Sequence, residues 1–163
     1  FLTVFSSHQF YLKGGDLILK LSNQFKNLRF IVVGSEKPDC VKDNYSNVEF
    51  LGNVDKYKLR DYYSKAGFYL QLSAFDGFGL SLCEAMLCES IPIGSSVNII
   101  PEIIGKSGYI IEKRDINEIN EVIEEVLNMS LTQKKELRLM ARDQIERNYN
   151  IINRKNKLFS VLD

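Results

Sequence analysis

The sequence is poor in the residues that build metal sites and disulfide frameworks. Its 163 residues include one histidine, His8, and three cysteines, Cys40, Cys83 and Cys88. The cysteines form no CxxC pair and have only His8 as an imidazole companion, so we expect neither a zinc site nor a disulfide framework. Reduced thiols predict a cytoplasmic protein, with Cys83 and Cys88 packed in a helix as small apolar residues.

The chain also lacks a net charge and any long hydrophobic run. Lysine and arginine together number 21, as do aspartate and glutamate, so no overall field attracts nucleic acid or an anionic membrane. Any bound phosphate must therefore be held locally. The longest apolar stretches, such as FIVVG, are far shorter than a membrane span, and no charged-then-apolar targeting segment opens the chain. We expect no nucleic-acid partner and no transmembrane segment.

The last third of the chain contains neither glycine nor proline after Gly108. Two pairs, Asp115 with Glu118 and Ser130 with Gln133, have the spacing of capping boxes, and an apolar stripe follows the first of them at helical intervals. This part is therefore predicted to be helical, with helices at 116–128, 131–148 and 151–161.

Upstream, short apolar runs alternate with helical patterns, which predicts an α/β domain. We expect a Rossmann-like parallel sheet with helices on both faces, forming a single domain over residues 1–163. Helices are predicted at 16–25 and 56–65, with a third beginning near Leu80. Strands are predicted at Leu2–Phe5, Phe30–Val33, Val48–Leu51, Phe68–Leu72, Ile91–Ile93 and Tyr109–Ile111. Because the sequence opens inside the first strand, we expect a fragment of a longer protein.

Three common nucleotide-binding and phosphate-binding folds lack their motifs here. A dinucleotide-binding Rossmann domain needs GxGxxG after its first strand, where this chain has FSSHQFYLKGGD. The P-loop motif GxxxxGK[ST] is absent, and a phospho-acceptor receiver needs acidic residues where Ser6, Ser7 and His8 stand. All three classes are excluded.

The run SAFDGFGLSLCEAMLCESIPIG, residues 73–94, is typical of a ligand-binding segment. It places Asp76 and Glu84 on either side of a Gly-Phe-Gly turn, just before a predicted helix. Glycines allow close approach of backbone amides to an anion, and a helix N-terminus favours negative charge. Carboxylates accept hydrogen bonds from hydroxyls. A polyhydroxylated, phosphorylated ligand needs all of these groups.

Several motifs occur in one order along the chain and in register with the predicted strands: Lys13-Gly14-Gly15-Asp16, Leu51-Gly52-Asn53-Val54, the run from Ser73 to Leu80, Glu84-Ala85-Met86, and Pro101-Glu102. This order resembles the C-terminal, donor-binding half of retaining GT-B glycosyltransferases, in particular glycosyltransferase family 4. The resemblance covers nearly the whole chain. It implies a nucleotide diphosphate sugar as the donor substrate, with no cofactor and no bound metal.

The resemblance implies a role for each matching residue. Glu84 falls on the second acid of the family's E-x7-E pair and is expected to hold the ribose hydroxyls, while Asp76 falls on the first acid and is expected to face the transferred sugar. Aspartate there is a departure from the family's glutamate. Lys13 matches the lysine that neutralises the diphosphate as the glycosidic bond breaks. Backbone amides are expected from the turn after the first acid, at Gly77, Phe78, Gly79 and Leu80.

Each of these residues also has a structural interpretation. Asp76 can cap the helix that follows it, and Glu84 can be a solvated residue of the first helical turns. The glycines can serve only a tight strand-to-helix turn, and Lys13 can lie in a solvated loop.

Further positions are implied near the diphosphate and the nucleobase. The family has an arginine where His8 stands, and our hypothesis is that His8 still touches the diphosphate; an ordinary loop histidine is the alternative. Asn53 and Val54 match the segment that receives the nucleobase. The segment 95–102 matches a loop that closes over sugar and phosphate, with Ser96, Val97, Asn98 and Ile99 in place of its usual glycines.

The function implied is retaining transfer of a sugar to an acceptor hydroxyl. The acceptor-binding, N-terminal half of the GT-B fold is absent from this chain, so we expect donor binding but little catalysis by the chain alone. The whole enzyme could associate with the membrane surface through this N-terminal half. The alternative is a non-catalytic nucleotide-binding or interaction module. The sequence does not distinguish UDP from GDP, and it names neither the sugar nor the acceptor.

Overall fold

The structure is a computed structural model that describes residues 1–39, 41, 45–150 and 152–153. Its strands are β1 (Leu2–Val4), β2 (Phe30–Val33), β3 (Val48–Leu51), β4 (Phe68–Gln71), β5 (Ile91–Ser95) and β6 (Tyr109–Ile111). Its α-helices are α1 (Gly15–Gln24), α2 (Lys56–Lys65), α3 (Leu80–Leu87), α4 (Ile100–Ile104), α5 (Ile116–Asn128) and α6 (Leu131–Asn148). A short 3₁₀ turn, Ser7–Gln9, follows β1.

The six strands form one parallel sheet in the order β3-β2-β1-β4-β5-β6. The strand order reverses between the neighbouring strands β1 and β4. From β1 the chain adds β2 and β3 toward one edge of the sheet, and from β4 it adds β5 and β6 toward the other edge. In such sheets the crevice beyond the carboxyl ends of the two central strands is the usual place for a ligand. The loops after β1 and β4 therefore lie at the position that matters most.

Helices cover both faces of the sheet, as the alternation of side chains along the strands requires. One core layer joins α1 and α5 to strand side chains that include Phe68 and Leu70 of β4. The opposite layer joins α2, α3, α4 and α6 to strand side chains that include Tyr69 of the same strand. The predicted α/β class with a helical C-terminal third is confirmed.

The five-residue helix α4 was not predicted. Residues 95–102 were predicted to form a loop, whereas β5 ends at Ser95 and α4 begins at Ile100. Its apolar residues Ile100, Ile103 and Ile104 are fully buried against the sheet. A helix of little more than one turn gives too short a pattern for its period to be detected.

The helical part confirms one predicted capping box and corrects the other. Ser130 and Gln133 form the reciprocal box at the start of α6. Asp115 caps α5 through the Asn117 amide, but Glu118 turns away and accepts the backbone N–H groups of Glu112 and Lys113, each at 2.7 Å. Helices 116–128 and 131–148 are confirmed. The predicted helix 151–161 lies outside the described residues, apart from 152 and 153.

Candidate functional site

Lys13 and Asp76 meet across the point where the strand order reverses. Lys13 follows β1, Asp76 follows β4, and the Lys13 ammonium Nζ lies 2.6 Å from the Asp76 Oδ2 atom. Their side chains are 15% and 7% exposed, so this ion pair is largely removed from water. The two residues are 63 positions apart in the sequence. They were predicted as separate site residues, and the structure joins them in one charged pair.

The Asp76 carboxylate lies within a network of buried polar side chains. Its Oδ2 atom accepts hydrogen bonds from the Gln71 amide and, at 3.1 Å, from the Ser73 hydroxyl, in addition to Lys13. The Gln71 amide also donates to Ser73 at 3.2 Å. Within the described part of the chain, no side chain donates to the other oxygen, Oδ1. Asp76 is thus fixed through a single oxygen.

Asn98 holds the same loop through the backbone. Its side-chain amide donates to the Asp76 carbonyl oxygen. Asn98 has a positive φ of 49°, a conformation that asparagine adopts more readily than most residues. Asn98 thus combines a left-handed backbone with a side-chain contact to the Asp76 loop.

The Lys13 loop is packed directly on the end of β4. Gly14 has a φ of 84°, and a Cβ atom at this position would lie 2.5 Å from the Leu72 carbonyl oxygen. Glycine is therefore required both by conformation and by close approach. The Ala74 amide donates to the Leu12 carbonyl at 2.8 Å. These contacts set the distance between the two loops that carry Lys13 and Asp76.

The helices that follow the two central strands, α1 and α3, begin without a side-chain cap, although the first amide of α1, that of Gly15, donates to the Phe10 carbonyl at 2.7 Å. The N-caps of α1 and α3 are Gly14 and Gly79, both left-handed, so no side chain satisfies the first backbone N–H groups of either helix. By contrast, α2 and α5, which follow the two edge strands, are capped by Asp55 and Asp115. Uncapped N–H groups and the helix dipole together favour an anion at the centre of the edge.

Glu84 lies on the exposed side of α3 and is held by Tyr63 of α2. The buried Tyr63 hydroxyl donates to Glu84 Oε2 at 3.1 Å. Burial, followed by the charges of neighbouring acidic groups including Glu84, raises the pKa of Tyr63 far above its usual value, so its proton stays available for this hydrogen bond. The carboxylate is both oriented and solvent-accessible, as a ligand-binding group must be.

The Gly-Phe-Gly turn combines one glycine that the fold requires with one that it does not. Gly79 is left-handed at the α3 N-cap. Gly77 has no positive φ, and an added Cβ would meet nothing within 4 Å. Phe78 packs edge-on against Tyr149 with ring centroids 5.9 Å apart, and Leu80 is 68% exposed.

The remaining predicted residues lie in the segments that follow β1 and β3. His8 is exposed in the 3₁₀ turn after β1, with its Nε2 atom 3.3 Å from the Ser6 hydroxyl. Asn53 is exposed after the edge strand β3, and Val54 packs partly buried against the core. No described hydrogen bond or ion pair joins these three residues to Lys13 or Asp76.

Five residues that contact the site were not assigned a role from sequence, and Ser73 is one of them, since it appeared only as the first residue of a motif. Gln71 ends an apolar strand and Tyr63 lies in a helix, so both read as structural positions. Asn98 was noted only as a replaced glycine. Arg114, whose side chain reaches the Lys13 loop, carries no local signal at all.

Cys83 is a free, buried thiol and Cys88 a partly buried one on the α3 side, while Cys40 lies outside the described residues. Within the described ranges, no three or more His, Cys, Asp or Glu side chains come together as around a metal ion. No helix in that same part of the chain is long and apolar enough to cross a membrane.

The strand order and the polar centre at its reversal point define a Rossmann-like α/β domain. The chain belongs to the family described as glycosyl transferases group 1, whose family model matches residues 1–147. It is 32% identical over 90 residues to an uncharacterized glycosyltransferase of Methanocaldococcus jannaschii, covering 54% of this chain and 26% of that protein. It is 32% identical over 73 residues to O-antigen chain mannosyltransferase B of Escherichia coli, covering 45% of this chain and 19% of that protein.

Solved GT-B glycosyltransferase structures share the fold. Sucrose-phosphate synthase of Thermosynechococcus elongatus superposes with a TM-score of 0.82 at 21% identity, over 99% of this chain and 45% of that one. Anabaena HepE in complex with UDP and glucose superposes with a TM-score of 0.77 at 18% sequence identity, over 99% of this chain and 47% of that one. The C-terminal domain of a glycosyl transferase group 1 family protein of Francisella tularensis superposes with a TM-score of 0.75 at 18% sequence identity, over 92% of this chain and 86% of that one. The matched region thus spans about a quarter or less of the two curated relatives.

Proposed function

We propose that this chain is the donor-binding half of a retaining GT-B glycosyltransferase of family 4 and binds a nucleotide diphosphate sugar. The observation that carries the proposal is the Lys13–Asp76 pair at the sheet's reversal point, between two helix N-termini without side-chain caps. The Lys13 ammonium, the Asp76 carboxylate and the N-terminal N–H groups of two helices follow the two central strands. Parallel sheets commonly bind ligands at this place. This combination suits a ligand that carries both phosphates and hydroxyls.

In the proposed reaction, the bond between the anomeric carbon and the diphosphate oxygen breaks while a bond to the acceptor hydroxyl oxygen forms. The acceptor's proton is released, and the nucleoside diphosphate leaves. Lys13 and the N-termini of α1 and α3 stabilise the negative charge that grows on the leaving group. We propose that these groups supply this stabilisation without a metal ion or another cofactor.

The acids take separate roles toward the donor. The Oδ2 atom of Asp76 accepts hydrogen bonds from Lys13, Gln71 and Ser73. We propose that its Oδ1 atom accepts a hydrogen bond from a hydroxyl of the transferred sugar. Glu84, held by Tyr63, is placed to accept the ribose hydroxyls. Packing within the protein does not require glycine at position 77, because a Cβ atom there would meet nothing within 4 Å. A glycine at this position would allow the donor to approach the backbone closely.

Outer positions complete the proposed donor site. His8 contributes to the diphosphate, and Asn53 with Val54 offers backbone to the nucleobase. The presence of UDP and glucose in the Anabaena HepE structure supports a donor of this class. The Francisella neighbour, itself a C-terminal domain, supports the assignment of this chain to the C-terminal half. Transfer would then require an N-terminal acceptor-binding half in the whole enzyme.

A second candidate function is a non-catalytic nucleotide-binding module. The ion pair favours it in one respect, because an ammonium already neutralised by Asp76 has less charge to offer a diphosphate. Donor chemistry requires the pair to rearrange or to share Lys13 with the phosphates. Both candidates predict nucleotide binding, and they differ in whether the sugar adds affinity.

Thermal unfolding with ligands tests the proposal. Either UDP or GDP at a hundred times its dissociation constant is expected to stabilise the chain by about 2.7 kcal/mol, and the matching nucleotide sugar is expected to bind more tightly still. Glu84→Ala should abolish the shift, whereas Glu124→Ala, an exposed glutamate of α5, should retain it. No shift with either nucleotide, or a shift that persists in Glu84→Ala, would reject the donor site; equal affinity with and without sugar would favour the non-catalytic module.

A further inference from the structure

Arg114 is a part-buried cation that reaches the donor site from outside its motifs. It lies between β6 and α5, and its guanidinium contacts three groups that belong to two separate loops. Nε donates to the Leu72 carbonyl at 3.0 Å, and Nη2 donates to the Tyr11 carbonyl at 2.9 Å. Nη2 also lies 3.4 Å from the Asp16 carboxylate, with side chains 29% and 31% exposed.

These contacts join the loop after β1 to the end of β4. Tyr11 and Asp16 flank Lys13 in the sequence, and Leu72 lies four residues before Asp76. Arg114 therefore adds a second link between the two chain segments that carry Lys13 and Asp76, beside the Ala74–Leu12 hydrogen bond and the packing of Gly14, and it contacts neither side chain of the pair. We infer that Arg114 is a positioning residue of the donor site, which sets where the Lys13 ammonium lies. This inference rests on the proposed function.

The chemistry of the side chain suits this bridge. A guanidinium is planar and presents several N–H donors in fixed directions, so one side chain can reach two carbonyls and a carboxylate together. A lysine ammonium presents its donors from a single nitrogen at the end of a flexible stem, so it cannot reproduce the two separate nitrogen positions that Arg114 uses. Asp16 supplies the negative charge that offsets the buried part of the cation.

The segment that carries Arg114 is itself fixed. Glu118 accepts the backbone N–H groups of Glu112 and Lys113, and Asp115 caps α5. The residues on both sides of Arg114 are thus hydrogen-bonded before the side chain reaches the loops. Because the backbone around Arg114 is already fixed, its guanidinium can hold the loop that carries Lys13 in one position.

The same contacts explain why Arg114 acts through Lys13 and not on the ligand. Its described hydrogen bonds go to backbone carbonyls and Asp16, all groups of the protein itself. Loss of the bridge would leave the Lys13 loop held by the Ala74–Leu12 hydrogen bond and by the close packing of Gly14. The loop would stay in place but with a less defined ammonium position.

A double-mutant experiment on the 163-residue chain distinguishes positioning from general structural support. Dissociation constants for UDP and GDP are measured for the wild type, Arg114→Ala, Arg114→Lys and Arg147→Ala, the last a 77% exposed arginine of α6. We expect affinity to fall about tenfold in Arg114→Ala, the equivalent of one charge-assisted hydrogen bond, and by a similar factor in Arg114→Lys. Arg147→Ala should change it less than twofold.

The Lys13→Met background then identifies the route of the effect. If Arg114 acts by placing Lys13, Arg114→Ala changes affinity less than threefold once Lys13 is gone. An equal loss in both backgrounds, or wild-type affinity in Arg114→Lys, would overturn the inference. Should Arg114→Ala fail to fold, the Arg114→Lys comparison in both backgrounds makes the same decision.

A ligand-free measurement keeps this inference separable from the proposed function. Trace acylation with acetic anhydride, read by mass spectrometry, compares Lys13 with the exposed Lys20 of α1 in the same molecule. An ammonium held in a part-buried ion pair reacts slowly, so the Lys13 to Lys20 ratio should rise several-fold in both Arg114 variants. If the wild type binds neither UDP nor GDP, the proposed function fails and this ratio alone decides; an unchanged ratio refutes positioning.

Discussion

The Lys13–Asp76 pair should be the most strongly coupled pair of charges in the described part of the chain. The perturbation is Asp76→Asn, which keeps the shape of the side chain but removes its charge, together with Lys13→Met and the double variant. In Asp76→Asn the Lys13 ammonium loses its counterion while Gln71 and Ser73 keep an amide oxygen as their acceptor. The substitution therefore isolates the charge from the hydrogen-bonding network.

The size of the effect follows from distance and burial. At 2.6 Å and an effective dielectric constant of about 20, the attraction is about 6 kcal/mol before desolvation is subtracted. Removing one member of a buried pair costs about 3–5 kcal/mol, because the other charge stays unpaired. Since the Lys13 side chain is 15% exposed and can turn toward water, we expect the lower end, about 3 kcal/mol, for Asp76→Asn.

The assay is urea unfolding of all four proteins at constant ionic strength. Because Lys13→Met removes the charge that Asp76→Asn strands, the double variant should be more stable than the sum of the single losses predicts, by about 1–3 kcal/mol. Glu49→Gln serves as the matched control: it breaks the Arg29–Glu49 pair, in which the side chains are 71% and 41% exposed. Exposed pairs contribute little, so we expect no measurable change in this control.

One result would refute this reasoning. If the two substitutions add within about 0.5 kcal/mol, Lys13 and Asp76 do not depend on one another in solution. The ion pair would then have no part in holding the proposed donor site, and the proposal would rest on the uncapped helix N-termini alone.

Three further outcomes are expected. Tyr63→Phe keeps the ring but removes the hydroxyl that orients Glu84, so titration should show weaker nucleotide binding at a stability cost of about 1 kcal/mol; unchanged affinity would show that Glu84 needs no support. Burial, and then the charge of Glu84, raise the pKa of Cys83 to about 11, so its thiol stays protonated at pH 8 and iodoacetamide should label it slowly, with the rate rising toward pH 11. His8→Ala should weaken nucleotide binding if the imidazole contacts the diphosphate, as proposed; unchanged affinity in the variant would remove His8 from the site.

The α/β class and the approximate positions of the predicted strands and helices could be predicted because their signals are local, whereas the strand order could not. Four-residue apolar runs such as Phe30–Val33 end where predicted, and three helices begin and end at the predicted residues. The exceptions have physical causes. Helix α4 is too short to show a helical period in the sequence. Glu118 does not form the expected capping hydrogen bond, because its carboxylate accepts the backbone N–H groups of Glu112 and Lys113 in the folded loop.

The sequence predicts individual candidate residues for the site but not the contacts among them. Lys13, Asp76 and Glu84 were each identified by a motif, yet nothing local indicates that the first two pair across 63 residues. Arg114 is a stronger case, since it reaches Leu72 and Tyr11 over 42 and 103 residues. Such contacts depend on the strand order, which motifs alone do not encode.

The two departures from the family motif are best understood together. The family 4 pattern that the sequence resembles would have a glutamate at the position of Asp76 and glycines within the segment Ser96 to Ile99, which includes Asn98; in the structure the Asn98 amide donates to the Asp76 backbone carbonyl. An aspartate has one methylene less, so its carboxylate stays closer to its own backbone, where Gln71 and Ser73 meet it at the end of β4. A glycine at position 98 could keep the left-handed backbone but could not donate this hydrogen bond. Restoring the glutamate alone would therefore place a longer acid in a loop fixed for a shorter one, and we expect the matched pair of changes to be tolerated better than either change alone.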